Sequence, residues 1–368
     1  MANPRKSTPP LSAQPPVVRR AAVLQPGRSH GRPTQATVAA QAGVTTMTVS
    51  RYLRSPALVA PPTAARIDAA LIETGYTPNK SAGLLAGRRS SIVAVIVPSI
   101  ANSIFSETVQ ALSDGLQAHE LELLLASTNY TLEREEQQIR AVLAWSPAAL
   151  VVTGRRHTAA AMAMMHQAQA DGTPVVEIWD YEASDREIVQ IGFSHTLVGE
   201  LMAQHLIGRG CRDLVYVDSA VPEDFRAHER GTAFAKAARA ARVPVRVLQA
   251  PAMEPMAAGR AMLRQLLAQG GQQRLGMAFA SDYPAAGAWL QAQDAGLLVP
   301  GRLSLLGFGD YPIAAQLGSG LSTVSVDRRG IGSVCARHLL ASLLSPATEA
   351  VSPRQRVMLP RILQRGST

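Results

Sequence analysis

"TVAAQAGVTTMTVSRYL", Thr37 to Leu53, begins and ends as helical text but is broken at Gly43. Val38, Ala39 and Ala42 form one short apolar stripe, and Val44, Val49 and Leu53 form a second. Gly43 can take the left-handed conformation that ends a helix. Thr45 then stands where a side-chain oxygen would receive the free amides of a following helix. The spacing predicts two short helices at a steep angle, a helix-turn-helix whose second helix turns Thr46, Met47, Ser50 and Arg51 outward. The same pattern also fits a helical hairpin in any α-rich domain, so its surroundings decide.

Charge is the first of those surroundings. The chain has 368 residues and a formal net charge of +9. Residues 1–89 hold twelve Lys and Arg against only Asp68 and Glu73, which leaves 24 basic and 25 acidic residues for the rest. All the excess positive charge therefore lies in the quarter that holds the broken helix. A solvated basic tail accounts for part of it, but a polyanionic partner accounts for it better, because phosphate neutralisation dominates nucleic-acid affinity.

Residues 1–33 are basic, proline-rich and without periodicity, which predicts a disordered arm. They offer no apolar stretch of an export signal, and no run in the chain is long enough to span a bilayer, so a cytoplasmic location without membrane partners is expected. Cys211 and Cys335 lie far apart in the sequence and read as small buried hydrophobes rather than a disulfide or metal pair. Residues 34–78 form a compact helical unit, in which "PPTAARIDAALIETGY" supplies a third helix between Pro62 and Gly75. Residues 79–90 include a possible N-cap, Asn79, and the adjacent leucines 84 and 85. They read as a linker that folds conditionally.

From Ile92 onward, buried-strand text recurs. "IVAVIVP" (92–98), "LELLLAS" (121–127), "ALVVTG" (149–154) and "PVVEIWD" (174–180) come first. "LVYVDS" (214–219), "VRVLQA" (245–250), "MAFAS" (277–281) and "LSLLGFG" (303–309) follow. Helical segments rich in Ala, Leu and Met separate them. This alternation predicts doubly wound parallel sheets over 91–368, in two lobes. Ligands of such sheets bind beyond the carboxyl ends of the strands, and here those ends are mostly polar: Ser99, Ser127, Thr153, Asp180, Ser219 and Ser281.

In this order of parts the chain resembles the lactose-repressor-like transcription regulators, from about Thr34 to Leu363. The headpiece text "VAAQAGVTTMTVSRYL", then "GYTPN" and "LLAGRRS", carries the likeness jointly. Within that family it is most similar to gluconate-operon repressors, through "VTTMTVSRYLRSP", "VIVPSIANSIFSE", "TGRRHT", "PVVEIWD" and "GFGDYPIA". The resemblance implies a helix-turn-helix headpiece, a hinge helix and a two-lobed core like that of periplasmic binding proteins. It also implies a homodimer on double-stranded operator DNA, a small effector such as gluconate or its keto and phospho relatives, and neither cofactor nor metal.

By the same resemblance Thr46, Met47 and Arg51 reach base edges, Arg51 with a guanidinium able to grip guanine through two hydrogen bonds. Thr34, Thr45, Ser50 and Asn79 are placed for phosphate contacts or for capping alone. Leu85 matches the leucine that a symmetric pair of hinge helices wedges into the minor groove. In the core, Asp180 matches a carboxylate that accepts hydroxyl hydrogen bonds from a sugar-like ligand. Thr153, Ser281 and Asp282 match cleft positions; any of them can instead be a strand-end cap, and Asp282 reads better as one. Asn102, Ser103 and Phe105 open the first core helix, whose free amides suit an anion.

Two positions depart from the family pattern. "FRAHERG" places His228 where an arginine usually holds the ligand, with Arg226 and Arg230 beside it, and "GFGD" has Gly309 where an aspartate is common. A carboxylate ligand would favour a guanidinium fork from Arg226 or Arg155. The rival class is a cytosolic sugar-acid enzyme or binding protein with an accessory helical segment. Against the enzyme stands the lack of a phosphate-binding glycine loop, a glycine-flanked nucleophilic serine or a His/Cys cluster. A co-repressed regulator carries the same sequence signature as an induced one.

Overall fold

The computed structural model describes residues 33–77, 90–101, 103–183, 187–270, 273–344 and 355–368. The chain divides into two compact units, residues 1–86 and 87–368.

In the first unit, α1 (Gln35–Ala42), α2 (Thr46–Arg54) and α3 (Pro61–Thr74) share one small core. Thr34 opens α1 with a capping box: its hydroxyl takes the Thr37 amide and the Thr37 hydroxyl takes the Thr34 amide. Gly43, at φ 63°, ends the helix in the left-handed region, and the Thr45 hydroxyl accepts from the Thr48 amide to start α2. Val38, Val49 and Ile67 are fully enclosed, each contributing about 1.5–3 kcal/mol of apolar burial. Tyr52 on α2 donates to Asp68 on α3 at 2.5 Å, and Gln41 on α1 donates to Glu73 at 2.6 Å. Two polar bonds thus tie α3 to the helix pair. Residues 79–89 of the expected hinge segment, Asn79 and Leu85 among them, lie outside the described residues.

The second unit holds two six-stranded sheets. The first takes β1 (Ile92–Val97), β2 (Glu122–Ser127), β3 (Ala149–Thr153), β4 (Val175–Asp180), β5 (Val189–Phe193) and β11 (Gln355–Val357), ordered β11-β5-β4-β3-β1-β2. The second takes β6 (Asp213–Asp218), β7 (Val245–Gln249), β8 (Leu275–Phe279), β9 (Leu303–Phe308), β10 (Ser322–Ser325) and β12 (Arg361–Leu363), ordered β12-β10-β9-β8-β6-β7. Every pairing is parallel except that of β10 with β12. The apolar runs form the central strands, buried on both faces as parallel strands must be.

The chain passes between sheets three times: after β5, after β10 and between β11 and β12. The first passage leads into α7 (His195–Gly208), which packs on α8 (Phe225–Ala240) in the second lobe. The second leads back through α12 (Arg328–Leu344), which lies against α4 (Ser106–Gln117) of the first lobe. Cys211 and Cys335 are both buried and unbridged. Among the described residues no helix is long and apolar enough to cross a membrane.

Candidate functional site

The headpiece offers one exposed polar face. Thr46 and Arg51 are exposed, Ser50 is half-buried, and Met47 is 69% exposed, so Met47 is not a filler of the small core. Val49 alone of α2 is fully enclosed. Thr46, Met47 and Arg51 therefore lie on the solvent side of α2, away from the small core. The Thr34 and Thr45 hydroxyls are engaged as caps while remaining exposed.

In the second unit a cavity of about 630 Å³ opens between the carboxyl ends of the two sheets. Ser103, Phe105, Tyr130 and Trp179 come from the first lobe; Asp218, Arg226, Arg230, Ser281, Tyr283, Phe308 and Tyr311 come from the second. A further hollow of about 550 Å³ lies at the opposite ends of the second sheet. It is lined largely by leucines, and its Asp213 and Arg246 satisfy each other at 2.8 Å.

The wall of the main cavity is held by one carboxylate behind it. Asp180 closes β4 and is fully buried. Its Oδ1 accepts from Arg226 Nε at 2.9 Å and from His195 Nε2 at 2.9 Å, and its Oδ2 accepts from the Arg155 amide at 3.1 Å. Burial opposes its charge, yet Arg226 above all, then His195 and Arg155, holds the carboxyl well below the usual carboxylate range. Trp179, just before it, sits at φ 74°, a costly value for an aromatic residue. Ring contacts with Phe105 and Phe193, at 5.0 and 5.8 Å between centroids, and a 3.2 Å bond from its indole to Thr108 hold it there.

Arg226 and Arg230 stand one turn apart on α8. Arg226 also donates to the Thr153 carbonyl at 2.7 Å, and a side chain at Gly154 would overlap its guanidinium. Arg230 is only 4% exposed. It donates to His195 Nδ1 at 3.0 Å and to the Ala280 carbonyl at 3.2 Å, and its guanidinium lies 4.1 Å from the Phe308 ring centre. Its Nε has no partner, and it makes no ion pair with a carboxylate among the described residues. Gly199 lets α7 approach α8 so closely that a side chain there would strike the Arg230 carbonyl; that approach brings His195 within reach.

Of the core residues named from sequence, Ser103, Phe105, Arg226 and Ser281 line the cavity. Thr153, Arg155, Asp180 and Asp282 do not line it. Internal partners engage the Arg155, Asp180 and Asp282 side chains, the last in the cap role, whereas the buried Thr153 hydroxyl has no partner and only its carbonyl accepts, from Arg226. Arg155 meets Glu229 at 2.8 Å and Glu182 at 3.1 Å as well as Asp180. Asp282 accepts from the Thr323 hydroxyl at 2.6 Å and the Tyr311 amide at 2.7 Å, and burial pushes its carboxyl up to about 6. Asn102 lies outside the described residues.

The two departures from the family pattern have physical outcomes. His228 pairs with Asp218 and the Pro222 carbonyl; that carboxylate outweighs burial and raises the pKa of the ring. At Gly309 a side chain would collide with the Tyr311 ring, and the displaced Asp310 pairs with Arg365 at 2.7 Å. Sequence reading gives no ligand role to Arg230, His195 or the three tyrosines. Only "FRAHERG", with its arginines at helical spacing, carried a signal for one of them.

A helix-turn-helix headpiece joined to a two-lobed core with a ligand-sized cleft defines a DNA-binding regulator that responds to small molecules. Residues 36–79 match the family model described as bacterial regulatory proteins, lacI family, and residues 203–368 match a periplasmic binding protein-like domain. The chain is 37% identical over 316 residues to the HTH-type transcriptional regulator GntR of Pseudomonas aeruginosa, covering 85% of this chain and 90% of that protein. It is 31% identical over 323 residues to the GntR regulator of Escherichia coli K12, covering 88% and 95%. A crystal structure of a LacI-family transcriptional regulator from Silicibacter pomeroyi superposes with a TM-score of 0.84 at 32% identity, over 91% of this chain and 99% of that one. The chain belongs to the lacI family of bacterial regulatory proteins; it is a DNA-binding transcriptional regulator and not an enzyme.

Proposed function

We propose that this regulator is a dimeric, cytoplasmic repressor released from its operator by a small sugar acid of the gluconate type. Two headpieces read the half-sites of a near-palindrome, Thr46, Met47 and Arg51 at base edges and Thr34, Thr45 and Ser50 at the backbone. The boundaries that go with this reading are a basic arm over 1–33, the reader over 34–78, a hinge over 79–90 with Asn79 and Leu85 on DNA, and effector binding and dimerisation over 91–368. The effector acts only through its unequal affinity for the DNA-bound and released states of the core.

The observation that carries the effector class is Arg230: a buried guanidinium on the cavity wall, with an unpartnered Nε and no ion pair to a carboxylate among the described residues. A ligand carboxylate would supply the missing charge. Ser103, Ser281, Tyr130 and Tyr283 offer hydroxyls for a polyol chain. Asp218, Asp224 and Glu254 also line the cavity. They disfavour a second, doubly negative group, so the free acid is preferred over its phosphate ester.

Isothermal calorimetry against gluconate, 2-ketogluconate and 6-phosphogluconate tests the reading. At least one unphosphorylated acid should bind ten or more times tighter than 6-phosphogluconate. Preference for the phosphate ester would contradict the charge reading, and effector-strengthened DNA binding would turn the repressor into a co-repressed one.

A further inference from the structure

We propose that His195 is the positioning residue for the effector's carboxylate anchor, holding Arg230 through a hydrogen-bonded chain that starts at Asp180. Arginine only donates, so the 3.0 Å contact makes His195 Nδ1 the acceptor. The ring proton is therefore on Nε2, where it donates to Asp180 Oδ1 at 2.9 Å. The imidazole is neutral, and burial, the largest influence on it, favours that form.

This chain solves a specific problem. Arg230 must stay charged inside a nearly closed wall yet keep donors for a ligand. A carboxylate placed directly on it would cancel the charge that recruits an anion. A neutral imidazole fixes one Nη without cancelling that charge and leaves the carboxylate one ring further away. The same Oδ1 of Asp180 accepts from Arg226, so one buried oxygen orients both cavity arginines, one directly and one through His195. Each link comes from a different element: β4, the first turn of α7, and α8. The Ser194 cap on the Leu197 amide fixes that first turn, and Phe193 packs on the imidazole at 4.7 Å.

The inference rests on the sugar-acid reading, and the test separates the two. Calorimetry on the full-length protein compares gluconate with D-glucitol, the same carbon chain without the carboxylate. The wild type should prefer gluconate at least tenfold. His195→Phe, which keeps a ring against Phe193 but removes both hydrogen bonds, should cut that preference tenfold or more. Arg230→Met should do the same, and the double variant should lose no more than either single one, because His195 acts through Arg230. A histidine needed only for packing would give additive losses instead. His195→Gln, able to donate and accept, should recover part of the preference; it also serves as the test if the phenylalanine variant lacks a cooperative thermal transition. Full preference in both His195 variants, or additive losses, would overturn the inference alone. A wild type indifferent to the carboxylate would overturn the sugar-acid reading and the inference together.

Discussion

Arg51 on α2 stands exposed, whereas Arg230 on α8 is enclosed, and the two show how differently one side chain type can be held. An exposed guanidinium keeps its hydration until it meets DNA, so little of the surrounding fold is needed to hold it. A buried guanidinium has lost that hydration and persists only where other groups orient it. Accordingly α2 needs only a cap, a turn and a few apolar residues beneath it. For α8, parts from β3, β4, α7 and β9 converge. The headpiece is built locally, and the cleft is assembled from residues far apart in sequence.

That contrast makes the core the more vulnerable region. Asp180→Ala should leave Arg226 buried without its carboxylate and destabilise the core by about 3–5 kcal/mol, as read from urea unfolding. Because the folded-state pKa of Asp180 is depressed, its contribution is present above the ordinary carboxylate range and fades as the pH falls below it. A loss under about 1 kcal/mol would show that water reaches the pair.

Next in size is a pH effect from the same lobe. His157 is buried between Glu135 and Glu177, with the latter 3.2 Å away. Burial favours the neutral ring, but the two carboxylates overturn it and raise the imidazolium to about 9. A raised folded-state pKa stabilises fully below about 6.5, and the contribution disappears as the pH rises through about 9. The urea midpoint should therefore fall between pH 6.5 and 9.5 in the wild type. It should fall less in His157→Gln, and equal slopes would show that the proton is not held there.

The headpiece should respond in binding more than in stability. Arg51→Ala should cost about 1–3 kcal/mol of discrimination between operator and random DNA at fixed salt, with weak nonspecific binding retained. Equal loss on both DNAs would reduce Arg51 to a phosphate contact. Thr45→Ala should cost about 1 kcal/mol of headpiece stability through the lost cap. A change in effector affinity in either variant would break the separation between local reader and assembled cleft.

Legibility in the sequence follows the same division. The turn at Gly43, the caps at Thr34 and Thr45 and the central strands were readable, because each depends on neighbours within a few residues. The strand β5, "VQIGF", is hard to read because Gln190 and Gly192 interrupt its apolar run; the short strands β10 to β12 give too little text. At the cleft, strand-end logic marks Asp180 and the family resemblance gives it to the ligand. Its role behind the wall depends on Arg226, 46 positions away, and on His195, 15 away. Arg230 is marked locally only by its spacing from Arg226 in "FRAHERG"; its burial depends on residues far away in sequence.

The most direct test of the whole account is fluorescence anisotropy of the full-length protein on DNA from its own promoter, at one salt concentration, titrated with gluconate. A coupling of the usual size predicts that saturating effector weakens DNA binding about 5- to 150-fold, and that Arg230→Met requires far more gluconate for the same release. If calorimetry shows the cleft filled while DNA affinity stays constant, the link between sugar acid and operator is wrong.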